Sequence, residues 1–223
     1  MTSAKSSGGF SLIGLAIVLV IIGLIVGGIL VASSMIRSAQ IQSVISDQDF
    51  YRKSVQTFKD KYQALPGDMP NATTFWGQDP AGCPAASYSA TPHTTTCNGD
   101  GNGRIEGAEM YLVWQHLTNA GMITGGYTDM SGSSTYNYPI AGSNVPASQV
   151  PLGAYILYFQ SPLNSGTNLF PGNYGHIIMF GTPVQNGDSI MGPILTPSEA
   201  LLLDSKIDDG LPGTGNVTTS LIY

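Results

Sequence analysis

From Phe10 to Ile36 this sequence carries no charged residue, and most positions are Leu, Ile, Val, Ala or Gly. No other feature constrains the chain as strongly. A helix of about 20 apolar residues is enough to cross the hydrocarbon core of a bilayer, where every backbone amide must be satisfied within the segment. An ordinary secretory leader has an apolar core of only about 7–15 residues, with a small-residue cleavage site after it. Here the small pair Gly8-Gly9 comes before the run. A cut at that point removes a short polar leader carrying Lys5 and leaves the apolar helix on the mature chain.

The helical pattern continues past the apolar run. The first proline is Pro66, and Ile41, Val44, Ile45, Tyr51, Val55, Phe58 and Tyr62 recur at helical spacing, interrupted at Gln48. Such a stripe marks an amphipathic helix with one buried face. Leu65-Pro66-Gly67 supplies the stop. A continuous helix from Phe10 to about Gln63 is on the order of 80 Å long at 1.5 Å per residue. The predicted organisation is a leader over residues 1–9, an all-apolar helix over 10–36, its amphipathic continuation over 37–64, and a globular head over 65–223. Gly23, Gly27 and Gly28 read as small close-packing residues of a membrane helix, although glycine also weakens a helix locally.

Gly9-Phe10-Ser11-Leu12-Ile13 at the head of such a helix resembles the processing signal of type IV prepilins and type II secretion pseudopilins. The resemblance implies that a prepilin peptidase cuts between Gly9 and Phe10 and methylates Phe10. It also implies that the subunit waits in the bacterial inner membrane, and that the apolar helices of many pilin-like subunits then bundle into a periplasmic or cell-surface filament. One position departs from the family pattern. Gly14 stands where the family usually has glutamate, the fifth residue of the mature chain, and such a departure is tolerated in some minor subunits.

Charge is scarce and unevenly spread. Charged residues make up 10% of the chain, against roughly 25% in an average soluble protein. Arg37, Arg52, Lys53, Lys59 and Lys61 outnumber the acids of the amphipathic segment, whereas Arg104 and Lys206 are the only cations after Leu65. The acidic distal part repels a phosphate backbone, so no nucleic-acid partner is expected. Cys83 and Cys97 lie in a Pro/Thr/Ser-rich stretch. In a reducing compartment they are two free thiols, and in an oxidising one they close a short loop. The export signal favours the bond, worth about 3 kcal/mol in the chain-entropy account.

The most chemically specific stretch runs from Asn98 to Glu109. It matches the twelve-residue EF-hand calcium loop at positions 1, 3, 5, 6 and 12, with Asn98, Asp100, Asn102, Gly103 and Glu109 at those places. Alternating oxygen-bearing side chains on a tight turn converge on one cation, and Gly103 permits the bend. Arg104 offers its backbone carbonyl, Ile105 points into the core, Glu106 is a further possible ligand, and Glu109 closes the site. So few carboxylates imply weak Ca²⁺ affinity, about 10⁻⁴–10⁻³ M. The ion then acts as a structural staple, anchored at its entrance by Cys97.

After the loop, Met110, Val113, Trp114 and Leu117 stripe a helix from about Ala108 to Ala120, stopped at Gly121. Gly153 to Ser161 and Tyr174 to Gly181 read as antiparallel strands packed on the long helix. Thr196-Pro197-Ser198-Glu199 opens a helix that continues to about Ile207. Asp208 and Asp209 follow where the helix dipole disfavours acids, calling for Lys206, Arg104 or a metal as partner unless solvent suffices. His93, His116 and His176 lack nucleophile motifs or metal-ligand spacing, so structural roles are expected for them and no catalysis. The fold expected is α+β: a long helix, a small antiparallel sheet and accessory helices. Three functions fit it, namely a subunit of a type IV pilus-like fibre, a type II secretion pseudopilin, and a single-pass calcium-binding domain that never polymerises.

Overall fold

The computed structural model describes residues 12–80, 83, 95–128, 138–162, 170, 172–184 and 191–219. Gly9, Phe10 and His93 lie outside the described residues. Along the chain run α1 (Leu12–Tyr62), α2 (Ala72–Trp76), α3 (Glu109–Asn119), β1 (Ala154–Gln160), β2 (Gly175–Pro183), β3 (Met191–Gly192) and α4 (Pro197–Ile207). This is an α+β chain with a long apolar N-terminal helix. It divides into two compact units, Met1–Gln40 and Ile41–Tyr223, and α1 contributes residues to both.

In the first unit α1 has no buried face. Its large apolar side chains from Leu12 to Ile36 are all between 49% and 84% exposed. The segment is long and apolar enough to cross a membrane. The helix passes through Gly23, Gly27 and Gly28 without a break.

In the second unit the rest of α1 buries the expected stripe. Ile41, Val44, Tyr51 and Phe58 are buried, with Ile45, Val55 and Tyr62 packed beside them. Ser54 joins the stripe although it is polar, because its hydroxyl donates to the Phe50 carbonyl at 2.9 Å. α1 ends at Tyr62, and Gln63 turns into the left-handed region at φ 54° while its amide still bonds the Lys59 carbonyl. The chain thus leaves the helix slightly before the Leu65-Pro66-Gly67 stop.

The core gathers around Trp114, which is fully buried. The Tyr51 ring stands edge-on to it at 5.0 Å and to Tyr155 at 5.2 Å, tying α1 to both α3 and β1. Full burial of side chains this size contributes about 1.5–3 kcal/mol each. The Tyr155 hydroxyl finds its partner in Asp47 of α1 at 2.9 Å, so the phenol is not stranded in the core. The sheet has the order β1-β2-β3, antiparallel throughout, with Ala154 opposite Gly181 and Gln160 opposite Gly175. Both long strands lie where the β-branched and aromatic runs predict them.

α3 ends and α4 begins on local chemistry, whereas α2 does not. α3 stops with the Met122 amide on the Leu117 carbonyl and the Gly121 amide on the Thr118 carbonyl, the reverse-turn closure that Gly121 predicts. α4 begins with a reciprocal cap, Thr196 accepting from the Glu199 amide while Glu199 accepts from the Thr196 amide at 2.8 Å. α2, unpredicted, receives its start from elsewhere, since the Asn98 side chain accepts from the Thr73 amide at 2.9 Å.

Candidate metal centre

Two backbone segments distant in sequence are zipped together to make this site. The turn after α1 places Gly67, Asp68 and Met69 alongside the loop that starts at Cys97. The Gly99 amide donates to the Met69 carbonyl at 2.9 Å, and the Gly101 amide to the Asp68 carbonyl at 3.0 Å. The approach is so close that a Cβ on Gly99 would lie 2.2 Å from the Gly67 carbonyl oxygen and 2.4 Å from Asp68 Cα. Only glycine fits there.

His116 of α3 locks the same pair of segments from below. It is fully buried, with Nδ1 accepting from the Gly67 amide at 2.9 Å and Nε2 at 2.9 Å from the Cys97 carbonyl. An amide can only donate and a carbonyl only accept, so the ring is neutral with its proton on Nε2. Burial drives its pKa down to about 4. The disulfide Cys83–Cys97, with a Cα–Cα distance of 5.4 Å, pins the entrance of the loop.

The loop then folds on its own side chains. Asp100 Oδ1 accepts from the Asn102 amide at 2.9 Å, and Asn102 Oδ1 accepts from the Arg104 amide at 2.7 Å. Gly103 takes φ +84°, the left-handed turn the motif predicts. Ile105 is fully buried, and its carbonyl accepts from the Phe159 amide at 2.8 Å while its amide donates to His176 Nε2 at 3.2 Å. The loop is thereby fixed to β1 and to the start of β2. Glu109, the first residue of α3, folds back across it. One oxygen accepts from the Asp100 amide at 2.9 Å and the other from the Glu106 amide at 3.1 Å.

This geometry brings together Asp68, Asp100 and Glu109, with one oxygen of each within 4.8 Å of the others. Asp68 is 4% exposed; its Oδ2 accepts from the Gly103 amide at 3.0 Å, while Oδ1 is buried without a hydrogen-bond partner. Burial first, and then the neighbouring Asp100, raise the Asp68 pKa. Burial likewise raises that of Glu109, with Asp100 and Asp68 adding to it. Three crowded carboxylates, two of them buried, make a strongly negative pocket. A set of hard oxygen donors suits Ca²⁺ or Mg²⁺ better than a thiophilic ion.

The other residues of the predicted loop are placed as follows. Asn98 spends its side-chain oxygen on the Thr73 amide. Arg104 lays its guanidinium over the Phe159 ring at 4.8 Å and reaches Glu106 Oε1 at 3.6 Å. Glu106 is therefore paired outward, outside the carboxylate triplet. Asp68 carries no loop-spacing signal. Its position directly after Pro66-Gly67 marks it only as a turn residue, and tertiary packing alone brings it to Asp100.

A second acidic group, Asp204, Asp208 and Asp209, sits at the end of α4. The sequence calls for a cation there, but Lys206 donates to Gln42 at 3.2 Å and Arg104 pairs with Glu106. Backbone amides take that part. Asp208 accepts from Asn216 and Val217, Asp209 from Leu211, and Asp204 from Gly210.

Comparison of this chain with known protein families, with curated proteins and with solved structures returns no match.

Proposed function

We propose that the chain is a structural, non-enzymatic subunit of a type IV pilus-like filament, held in the inner membrane until a prepilin peptidase cuts between Gly9 and Phe10. The observation that carries this reading is the exposure of the apolar, uncharged part of α1, 49–84% for every large side chain from Leu12 to Ile36. In water that surface is untenable, so it requires lipid before assembly and other pilin-like helices after it. The remainder of α1 already has a core to seal. Gly14 in place of the family's glutamate favours a minor position in the fibre over the repeating one. Structural Ca²⁺ at the loop, together with the disulfide, stiffens the head outside the cell.

The test is the intact mass of the chain isolated from membranes, with and without the peptidase. Loss of residues 1–9 and a methyl group on Phe10 are expected only where the peptidase is active. An uncut chain persisting beside an active peptidase overturns the reading and leaves a membrane-anchored calcium-binding domain in its place.

A further inference from the structure

We infer that Asp68 is a direct ligand of the cation, so that the ion clamps the turn leaving α1 to the 98–109 loop and to the start of α3. The inference rests on the calcium reading above and changes what such an ion does. A self-contained calcium loop draws its first ligand from its own first position, here Asn98. In this protein Asn98 is engaged elsewhere, its oxygen on the Thr73 amide. The carboxylate standing against Asp100 and Glu109 instead comes from a different part of the chain, within 4.8 Å of both.

Carboxylates gather at many loops without a metal, but Asp68 is set apart by its burial: it is 4% exposed, and its Oδ1 is a buried acceptor with no hydrogen-bond partner. Leaving a buried acceptor unsatisfied is unfavourable, the more so when the group is charged. A divalent cation satisfies that oxygen and offsets the repulsion among the three carboxylates. Backbone amides donate to all three carboxylates of the Asp204 cluster as well, but among the described residues no buried side-chain oxygen of that cluster is left without a partner, whereas Asp68 Oδ1 is.

The ligand set makes the ion a joint. Asp68 lies six residues after the end of α1 at Tyr62, Asp100 is in the loop, and Glu109 opens α3. Binding therefore fixes α1's exit turn and α3's first turn to each other, beyond the amide bonds already joining residues 68–69 to 99–101.

The experiment is calcium titration by calorimetry on the full chain in detergent, after chelation, for wild type, Asp68→Asn and Asn98→Ala. Saturable binding by wild type is expected, weakened at least 10-fold by Asp68→Asn and no more than about 3-fold by Asn98→Ala, since each tenfold corresponds to about 1.4 kcal/mol. Asp68→Asn removes one of three repelling charges, so in chelator it melts at or above wild type, which separates lost binding from lost folding. Hydrogen exchange on the wild type gives a second readout that needs no variant. Calcium is expected to slow exchange across residues 66–70 as well as 98–109. Wild-type affinity in Asp68→Asn, or protection confined to 98–109, overturns the clamp while leaving calcium binding intact. Absence of saturable binding by wild type overturns both.

Discussion

At the scale of single residues, His116 and Gly99 decide whether the site can form. His116 is held neutral by burial, with a pKa near 4 against an ordinary 6.5. The unfolded chain therefore binds the proton more readily, and stability falls as pH drops from about 6.5 to about 4. The slope approaches 1.4 kcal/mol per unit, for a total of about 3 kcal/mol. Protonation would also set an Nδ1–H against the Gly67 amide. Denaturant unfolding of wild type and His116→Gln at several pH values checks this, because their difference cancels the carboxylates common to both. The gap is expected to shrink as the pH falls, and a constant gap rules the account out. For Gly99→Ala a loss of at least about 1–3 kcal/mol is expected, the usual cost of overpacking, because the new Cβ falls on the Gly67 carbonyl. Thermal melting in chelator measures it without involving the ion.

The elements differ in where their information comes from. α4 is written locally: Thr196, Pro197 and Glu199 specify its start, and the capping bonds form as the spacing requires. Thr196→Ala is accordingly expected to cost about 1 kcal/mol, visible as a lower denaturant midpoint with unchanged slope. α3 and the two long strands were also legible, because stripes and β-branched runs report burial directly. α2 and β3 were not. α2 is five residues long and takes a cap from Asn98, and β3 is two residues paired to Thr182 and Pro183. Neither has length enough for a period to show. The Cys83–Cys97 bond acts at this same scale by closing a loop with a sequence separation of 14. Reduction is expected to destabilise the head by about 3 kcal/mol, and unfolding with and without reductant tests it.

For the molecule as a whole, the proposed ion and the proton compete for the same oxygens. Burial and mutual repulsion raise the pKa values of Asp68 and Glu109 in the ion-free protein. Calcium must displace whatever protons they hold, so its stabilisation is greatest where both are ionised. The calcium-induced rise in melting temperature is therefore expected to shrink on acidification, beginning above the ordinary carboxylate range. A rise that stays constant from neutral pH down to pH 4 would remove the carboxylates from the site. By mass action, calcium at 100 times its dissociation constant adds about 2.7 kcal/mol, comparable to the disulfide. The proposed ion, if bound, and the disulfide would act on the same part of the head by similar amounts.

The sequence by itself determined everything that depends on neighbours along the chain. A charge-free apolar run dictates an exposed greasy helix, a three-and-four stripe dictates its buried continuation, and Asn98 to Glu109 dictates a turn around Gly103 with Ile105 inward. Those are consequences of backbone geometry and of the cost of exposing apolar or burying polar groups, and they need no partner from afar. Tertiary structure alone decided which oxygens meet. Asn98 was drawn away to the start of α2, Glu106 was paired outward with Arg104, and Asp68 was brought in from the end of α1. The physical reason is that ligand convergence is a distance in space. Here that distance was set by Gly99 and His116 joining two segments some thirty residues apart, and no spacing along the chain records it.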